Sequence, residues 1–177
     1  MRKSCGDVAP EGGRVTAYVL FGSNLGDRRR SIEDGLAFLE RGGVVWSARS
    51  SFYETEPIGF DDQPWFLNLA ARGSVSVSPR ALLALCKAAE EAAGRTGGVR
   101  FGPRPLDADI LLYGEVELDL PDLVLPHPRL RERRFALIPL LEVEPDLRDF
   151  RDGQRYDAVL QRLDEGKKVA KSTTKGS

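Results

Sequence analysis

The fold of this chain is organised by residues 100–113, which carry the sequence RFGPRPLDADILLY. The second half of this stretch predicts an apolar β-strand that begins with two aspartates, Asp107 and Asp109. Because side chains two residues apart in a strand share a face, the two carboxylates lie on one face, about 6.6 Å apart along the chain. The other face is apolar, with Leu106, Ala108, Ile110 and Leu112. We therefore expect the carboxylates at the rim of a sheet whose interior begins directly behind them.

Two carboxylates this close repel each other unless a cation lies between them, and Mg²⁺ suits that position. It binds one or two carboxylates and completes its shell with water and phosphate oxygens. On spacing alone, aspartates that merely solvate the exposed end of a strand explain the pair equally well, because short carboxylate motifs often occur by chance. Arg100 and Arg104 lie just upstream, in a segment stiffened by Pro103 and Pro105. Arginines beside Mg²⁺-binding carboxylates are what a polyphosphate needs.

The composition indicates one globular domain without a bulk charge bias. The chain has 177 residues, 30% of them charged, and a net charge of −1, so electrostatics favours neither nucleic acid nor membrane. Its apolar runs are too short to span a bilayer, residues 1–13 lack a secretory pattern, and Cys5 and Cys86 lack metal-ligand spacing. We expect a cytoplasmic monomer with a disordered leader at 1–14, a domain at 15–164 and a disordered polar tail at 165–177.

Hydrophobic periodicity predicts an α+β domain. Strands are expected at residues 15–21, 44–53 and 66–75, before the strand that carries the two aspartates. One helix follows a turn with Asp27 as its N-cap, a second begins after Ser78, and further helices follow residue 134. This order is that of a ferredoxin-like βαββαβ sandwich with appended C-terminal helices.

The run Gly94-Arg95 followed by residues 100–110 resembles the signature of the 6-hydroxymethyl-7,8-dihydropterin pyrophosphokinase family of folate biosynthesis. Gly-Ser-Asn-Leu at 22–25, Thr-Glu-Pro-Ile-Gly at 55–59 and Gln-Pro-Trp-Phe-Leu-Asn at 63–68 are also typical of that family. The resemblance covers residues 15 to about 163, and its motifs lie far apart in the sequence yet match one site. It implies transfer of pyrophosphate from MgATP to the hydroxymethyl group of the dihydropterin, which releases AMP.

The resemblance also implies a pterin pocket. By family position, the substrate-binding residues are Thr55, Ile58, Phe66, Asn68, Phe101 and Phe135. By the same resemblance, Phe66 and Phe135 are the two rings that stack on either side of the pterin. A flat heterocycle is held by such stacking and by side chains that both donate and accept hydrogen bonds. From the residues alone, Trp65 and Phe66 would be explained as the start of a core strand.

The nucleotide and metal contacts are implied in the same way. The catalytic residues are then Arg95, Arg104, Asp107 and Asp109, and the ATP contacts are Glu90, Ile110, His127 and Arg133. The two aspartates would hold Mg²⁺, with two ions expected alongside ATP. Spacing alone allows plainer interpretations: Glu90 as a surface glutamate near Lys87, His127 as a packed or surface side chain, and the arginines at 129–134 as a solvated helix start.

A different class of function is an RNA-binding or regulatory module of the same fold, without catalysis. That class requires exposed aromatic residues in an RNP-type pattern and a basic face, and the sequence has neither. We therefore expect ATP and a dihydropterin as partners, and neither nucleic acid nor membrane. One departure from the family is Gly97, where its members usually carry a second arginine.

Overall fold

An antiparallel sheet forms the centre of the fold. The computed structural model describes residues 13–59, 61–94 and 102–173. The strands and helices in this part of the chain are β1 (Val15–Ser23), α1 (Arg28–Arg41), β2 (Val45–Arg49), β3 (Tyr53–Thr55), β4 (Phe66–Val75), α2 (Pro79–Ala92), β5 (Asp107–Tyr113), β6 (Leu118–Asp119), β7 (Val124–Leu125), α3 (Arg134–Val143), α4 (Tyr156–Arg162) and β8 (Val169–Lys171). Strands pair in the order β5-β1-β4-β3-β8, β2 also pairs with β4, and β6 and β7 pair separately.

Strand β1 is an interior strand between β5 and β4, and its apolar residues are buried on both faces. Its register places Leu20 opposite Asp109 of β5. Gly22 lies opposite both Asp107 of β5 and Asn68 of β4. The ends of three neighbouring strands therefore bring predicted site residues side by side, although these residues are far apart in the sequence.

Helices α1 and α2 cover one face of the sheet. Asp27 accepts a hydrogen bond from the Arg30 N–H at 3.1 Å and caps α1, and Ser78 accepts one from the Ala81 N–H at 3.2 Å and caps α2. Both predicted caps are confirmed. The apolar stripes of the two helices pack with the sheet into one core, which includes Ile32, Leu36, Leu39, Leu82, Cys86 and Ala89.

Helices α3 and α4 cover the opposite face and are joined by a buried polar cluster. Tyr156 at the start of α4 donates a hydrogen bond from its hydroxyl group to Asp149 Oδ2 at 3.1 Å, and Asp149 is fully buried. Arg151 and Arg131 also bind this carboxylate, at 2.6 and 2.7 Å. These bonds, with Arg151 as the largest contributor, hold the pKa of Asp149 well below its usual range. The C-terminal helices are thereby fixed over the face on which the two aspartates lie.

The predicted strand at 44–53 is two strands, β2 and β3, with a shift in register along β4 between them. At the break, Ser50 Oγ accepts a hydrogen bond from the Ala70 N–H at 2.9 Å. A side-chain oxygen there takes the position that a strand carbonyl would occupy, which ends the regular ladder. As a result of the shift, Thr55 lies opposite Phe66 at the end of the sheet.

Both ends predicted to be disordered differ from that prediction where the structure describes them. Arg14 donates hydrogen bonds to the Gly43 and Ser74 carbonyls at 2.7 and 2.6 Å, which attaches the last leader residue to the domain. The tail from residue 165 contains β8, which extends the sheet beside β3. The open edge of β3 offers unpaired backbone groups, and pairing of this kind needs no hydrophobic pattern in the added strand. Residues 1–12 and 174–177 lie outside the described residues.

The α+β class predicted from the sequence is confirmed, because the described chain combines an antiparallel sheet with four α-helices. In the described ranges, none of the helices has the length and apolar character needed to cross a membrane. Cys86 is buried in the core beneath α2, on the apolar stripe that periodicity predicts for that helix.

Candidate active site

A cavity of about 220 Å³ opens at the edge of the sheet where β1 ends and where β4 and β5 begin, on the face covered by α3. Its floor is formed by strand residues, and its walls come from the loops after β3 and before β5 and from the start of α3. The residues that line it are Leu20, Gly22, Thr55, Glu56, Ile58, Phe66, Asn68, Gly102, Arg104, Asp107, Asp109, His127, Arg129, Arg133 and Phe135. Ten of the residues predicted for the site are among them, so the structure brings most of that set together.

The floor of the cavity is open because Gly22 has no side chain. A Cβ atom at this position would lie 2.7 Å from Asn68 Oδ1, which is closer than real contacts allow. Glycine therefore lets the Asn68 amide occupy the space between the two strands. The backbone of Gly22 lies between the aspartate side of the cavity and the asparagine side.

Asp107 and Asp109 both line the cavity, so their predicted placement on one face of β5 is confirmed. Arg104 lies 2.9 Å from Asp107 Oδ1, and Arg133 lies 3.9 Å from Asp109 Oδ2. Burial, followed by the charge of Asp107, raises the pKa of Asp109 to about 7. Burial is thus the main reason that the ionised form of Asp109 is disfavoured, and a cation bound here would favour that form.

The chemistry of these side chains fits Mg²⁺. Carboxylate oxygens are its preferred protein ligands, and one or two of them suffice when substrate phosphates supply further oxygens. Within the described ranges, no group of three or more His, Cys, Asp or Glu side chains is arranged to hold a metal ion. The aspartate pair is therefore the kind of partial site that a metal ion shares with a polyphosphate.

Glu90 lies behind the aspartates, on the helical side of β5. Its side chain is buried, and Oε1 accepts a hydrogen bond from the Ala108 N–H at 2.9 Å. The interpretation of Glu90 as a surface glutamate near Lys87 is therefore wrong. Glu90 does not line the cavity, so its predicted contact with ATP stays a prediction.

Ile110 is the second predicted ATP contact that does not line the cavity. Its side chain is buried in the core formed with α1 and α2, on the face of β5 opposite the aspartates. The alternation of side chains along the strand already favours that position. The side chain of Ile110 is thereby assigned to packing, and any contact with ATP would have to come from its backbone.

His127 and Arg133 form one wall of the cavity, beside Asp109. The His127 N–H donates to the Leu111 carbonyl at 2.9 Å, which attaches the loop to β5, and Nδ1 accepts from the Arg129 N–H at 3.2 Å. Burial, together with Arg133 and Arg129, lowers the pKa of His127 to about 4. The ring is therefore neutral at pH 7, and the positive charge of this wall is carried by the arginines.

A buried polar pair and two aromatic rings line the rest of the cavity, and the ring of Phe135 lies with its centroid 5.5 Å from the Arg133 guanidinium. Asn68 donates from Nδ2 to Thr55 Oγ1 at 2.6 Å, and both residues are almost fully buried. This bond fixes the orientation of the Asn68 amide and leaves Oδ1 beside Gly22. Phe66 and Phe135 line the same cavity from β4 and α3. Aromatic faces beside a fixed amide suit a flat ligand with polar edges.

Asn24 joins three segments around the cavity, which the sequence does not reveal. Its Nδ2 donates to Gln63 Oε1 at 2.9 Å and to the Pro64 carbonyl at 3.0 Å. Its Oδ1 accepts from the Arg104 N–H at 2.7 Å. The turn after β1 therefore connects the loop before β4 to the segment that carries Arg104. A polar residue in a Gly-Ser-Asn turn gives no signal of partners forty and eighty residues away.

Several cavity residues were not among the predicted site residues. These residues are Leu20, Gly22, Glu56, Gly102 and Arg129. Two predicted residues, Arg95 and Phe101, lie outside the described residues, as does Gly97. The rest of the predicted substrate side is present in the cavity wall.

Comparison with known proteins identifies the family. Residues 18–145 match the family model described as 7,8-dihydro-6-hydroxymethylpterin-pyrophosphokinase. The chain belongs to this family. The family predicted from the sequence is thus confirmed, and the enzyme class is that of a pyrophosphokinase. The alternative of a non-catalytic RNA-binding module loses its support.

Relatives of this chain include proteins that it covers over most of their length and bifunctional proteins of which it covers about a quarter. The 2-amino-4-hydroxy-6-hydroxymethyldihydropteridine pyrophosphokinase of Methylorubrum extorquens is 42% identical over 149 residues, which cover 84% of this chain and 93% of that protein. The Bacillus subtilis enzyme of the same name is 43% identical over 128 residues, covering 72% of this chain and 77% of that protein. The mitochondrial folate synthesis bifunctional protein of Arabidopsis thaliana is 43% identical over 125 residues, and these cover only 23% of its length.

Solved structures share the fold of this pyrophosphokinase. Wild-type Plasmodium falciparum HPPK-DHPS with pteroate matches with a TM-score of 0.69 at 14% identity, over 88% of this chain and 43% of that chain. The S436F/A437G/A613S triple mutant of that protein matches with a TM-score of 0.67 at 15% identity. At this level of identity the likeness concerns the fold alone.

Proposed function

We propose that this chain transfers the terminal diphosphate of ATP to the hydroxymethyl group of 6-hydroxymethyl-7,8-dihydropterin in folate synthesis. The hydroxymethyl oxygen attacks the β-phosphorus, and the bond from that phosphorus to the α,β-bridging oxygen breaks. AMP leaves with this oxygen, the pterin diphosphate forms, and the hydroxyl proton is released. The proposal rests on one observation: a single cavity is lined both by an aspartate pair with its arginines and by a buried amide and two aromatic rings.

The amide end of the cavity would bind the pterin. Phe66 and Phe135 would stack on its two faces, which is worth roughly 0.5–1.5 kcal/mol per ring beyond area burial. Asn68, whose amide is oriented by Thr55, would pair with polar atoms on the ring edge. Ile58 would close the apolar side. A site that pairs a buried amide with the ligand rejects flat rings that lack the matching polar edge, because the amide would be left unpaired.

The arginine end would bind the triphosphate. Arg104 and Arg133 lie beside the two aspartates, and their planar guanidinium groups can each donate two hydrogen bonds to phosphate oxygens. His127 is neutral and would add one N–H donor to a phosphate oxygen. Arg95 is proposed as a further cation by family position, although it lies outside the described residues. Charge stabilisation and positioning of this kind account for most of the catalysis in phosphoryl transfer.

Asp107 and Asp109 are proposed to hold Mg²⁺ brought in with ATP, as two ions. Bound there, Mg²⁺ would neutralise charge on the phosphates. The two carboxylates hold their positions because both lie on a regular strand, and Glu90 anchors the backbone between them. Arg104, which pairs with Asp107 at 2.9 Å, would lie within reach of the same phosphates.

We also infer that the frame is of the ferredoxin-like type. The order β5-β1-β4-β3 in the sheet and the two helices α1 and α2 on one face agree with that arrangement. Such a fold hosts many activities, so it does not itself carry the functional proposal. Action as a monomer in the cytoplasm stays a prediction.

The proposal is tested by incubating the protein with ATP, Mg²⁺ and 6-hydroxymethyl-7,8-dihydropterin and following AMP and the pterin diphosphate. Both products should form together, and neither should form when the pterin is omitted. Asp107→Asn and Asp109→Asn should abolish the reaction and keep the wild-type circular dichroism spectrum. Asp119→Asn is the matched control, because this aspartate is exposed on β6. No AMP from the wild type contradicts the function, whereas full activity of Asp109→Asn contradicts only the metal assignment.

A further inference from the structure

The C-terminal segment 164–173 lies outside the residues that match the family and contacts the pterin side of the proposed site. Its strand β8 pairs with β3, and Val169 lies opposite Thr55. At the end of this ladder, the Glu56 N–H donates to the Lys168 carbonyl at 3.1 Å, and the Lys168 N–H donates to Glu56 Oε2 at 2.7 Å. The segment is therefore bonded to two consecutive residues of the cavity wall, Thr55 and Glu56.

Further contacts extend from this segment to the loop after β3 and to α3. Lys167 Nζ lies 2.6 Å from Asp61 Oδ1 in the loop. Lys171 Nζ lies 3.3 Å from Glu142 Oε1 of α3, and Glu142 also accepts a hydrogen bond from the Tyr53 hydroxyl group. The segment thus connects the two elements that enclose the pterin side, the loop on one side and α3 on the other.

A second cavity, of about 250 Å³, separates part of this segment from the proposed site. It shares Thr55, Glu56, Ile58 and Phe135 with the first cavity. These four residues contact both spaces and form a shared wall. Strand β3 has only three residues, and a short edge strand with one neighbour frays readily. The outer side of the wall therefore depends on the C-terminal segment for its support.

We propose that residues 164–173 act as a strap that positions Thr55 and Ile58 for the dihydropterin. The strap touches no reacting atom and acts through β3 and the loop that follows it. The expected effect of the strap on pterin binding rests on the proposed function. Its expected effect on how well β3 is ordered does not depend on that function. Loss of the strap should weaken pterin binding and leave the phosphate side, which is built on β5 and the start of α3, largely unchanged.

Two variants remove the strap in different ways, and a third serves as the matched control. Truncation after Asp164 deletes residues 165–177 and with them β8. Ala170→Pro removes a backbone donor from β8, and a paired strand tolerates proline poorly. Thr173→Pro places the same residue beyond Ser172, whose N–H makes the last hydrogen bond of the strap, to the Phe52 carbonyl. The first two should raise the KM for the pterin on the order of five- to twentyfold, with less than about a twofold change in kcat and in the dissociation constant of a non-hydrolysable MgATP analogue. The control should match the wild type.

Hydrogen exchange of the ligand-free proteins provides a readout that does not depend on activity. The amides of Glu54 and Glu56 should exchange faster in the truncated and Ala170→Pro proteins and at the wild-type rate in Thr173→Pro. Wild-type exchange at these amides in both strap variants overturns the proposal, whether or not the enzyme is active. An equal loss of pterin and MgATP-analogue affinity also overturns it, because that pattern indicates general destabilisation. If only the truncated protein fails to fold, Ala170→Pro decides the outcome.

Discussion

Glu90 Oε1 accepts a hydrogen bond from the Ala108 N–H at 2.9 Å, and Ala108 is the residue between the two aspartates of the proposed metal site. Glu90 belongs to α2 and is only 7% exposed, so the bond links the helical layer to β5 at the level of the cavity. A strand whose backbone is held in this way keeps both carboxylates in register when they bind a cation. Glu90 is thus a positioning residue for the aspartates, in addition to the nucleotide contact that the family position implies.

The two simplest substitutions at Glu90 should therefore differ. Glu90→Gln keeps an oxygen that accepts from Ala108, whereas Glu90→Ala leaves that buried N–H without this acceptor. We expect Glu90→Ala to lower the free energy of unfolding by about 1–3 kcal/mol and Glu90→Gln to lower it by less. Urea unfolding measures the difference, and initial rates of AMP formation should fall in the same order. Equal stability of the two variants would falsify the positioning role.

The alternation of side chains along a strand was enough to predict the part of the site that lies on β5 alone. Asp107 and Asp109 share a face because alternation is a property of the strand itself, and Ile110 points into the core for the same reason. The hub at Asn24 was not predictable, because its partners come from segments that only the tertiary fold brings together. The pairing of β8 was not predictable either. A polar, lysine-bearing segment can pair with a strand edge through backbone hydrogen bonds alone, which leave no pattern in the side chains.

His127 should make the ligand-free protein less stable in mild acid. Its pKa is lowered from 6.5 to about 4 in the folded protein by burial and by the nearby Arg133 and Arg129, while Asp107 partly opposes this shift. As the pH falls below 6.5, the unfolded chain takes up a proton that the folded chain does not, so the free energy of unfolding decreases until the pH reaches about 4.

The substitution His127→Asn tests this linkage. We expect the melting temperature of the wild type to fall more than that of the variant between about pH 7.5 and about pH 5. The raised pKa of Asp109, about 7, favours the folded state as the pH falls and partly opposes the effect of His127. Asp109 is present in both proteins, so the comparison reports the difference made by His127. An equal fall in the two proteins would show that the ring is protonated as easily in the folded state as in the unfolded chain.

Phe66 and Phe135 should discriminate between the two substrates. Alanine at either position removes a ring from the pterin side. Phe135→Ala also removes the ring that lies 5.5 Å from the Arg133 guanidinium, so Phe66→Ala is the cleaner test. Loss of one stacking ring is worth roughly 0.5–1.5 kcal/mol beyond area burial, so the dissociation constant for the pterin should rise about threefold or more. In Phe66→Ala, the affinity for a non-hydrolysable MgATP analogue should change little.

Trp65→Ala is the matched control for these rings. Trp65 precedes Phe66, is 38% exposed and does not line the cavity. We expect its dissociation constants for both ligands to match those of the wild type in calorimetric titrations. If Trp65→Ala weakens pterin binding as much as Phe66→Ala does, stacking at Phe66 is not the cause.

Gly22 should tolerate no side chain while Asn68 is present. A Cβ atom at Gly22 would lie 2.7 Å from Asn68 Oδ1, and the Asn68 amide cannot rotate freely because it donates to Thr55 at 2.6 Å. In Gly22→Ala, either the amide leaves its position or β1 and β4 separate. Overpacking of this kind costs about 1–3 kcal/mol, and pterin binding should be lost together with the amide orientation.

A double-mutant cycle separates this clash from a general effect of alanine in β1. Asn68→Ala removes the clashing oxygen, so Gly22→Ala should cost much less stability in the Asn68→Ala background than in the wild type. Pterin binding should stay weak in the double variant, because the amide is absent even though the clash is relieved. The four free energies of unfolding come from urea titrations, and pterin affinity from calorimetry. Additive costs would mean that the Asn68 amide does not fill the space above Gly22, and the floor of the proposed pterin site would then have to be assigned differently.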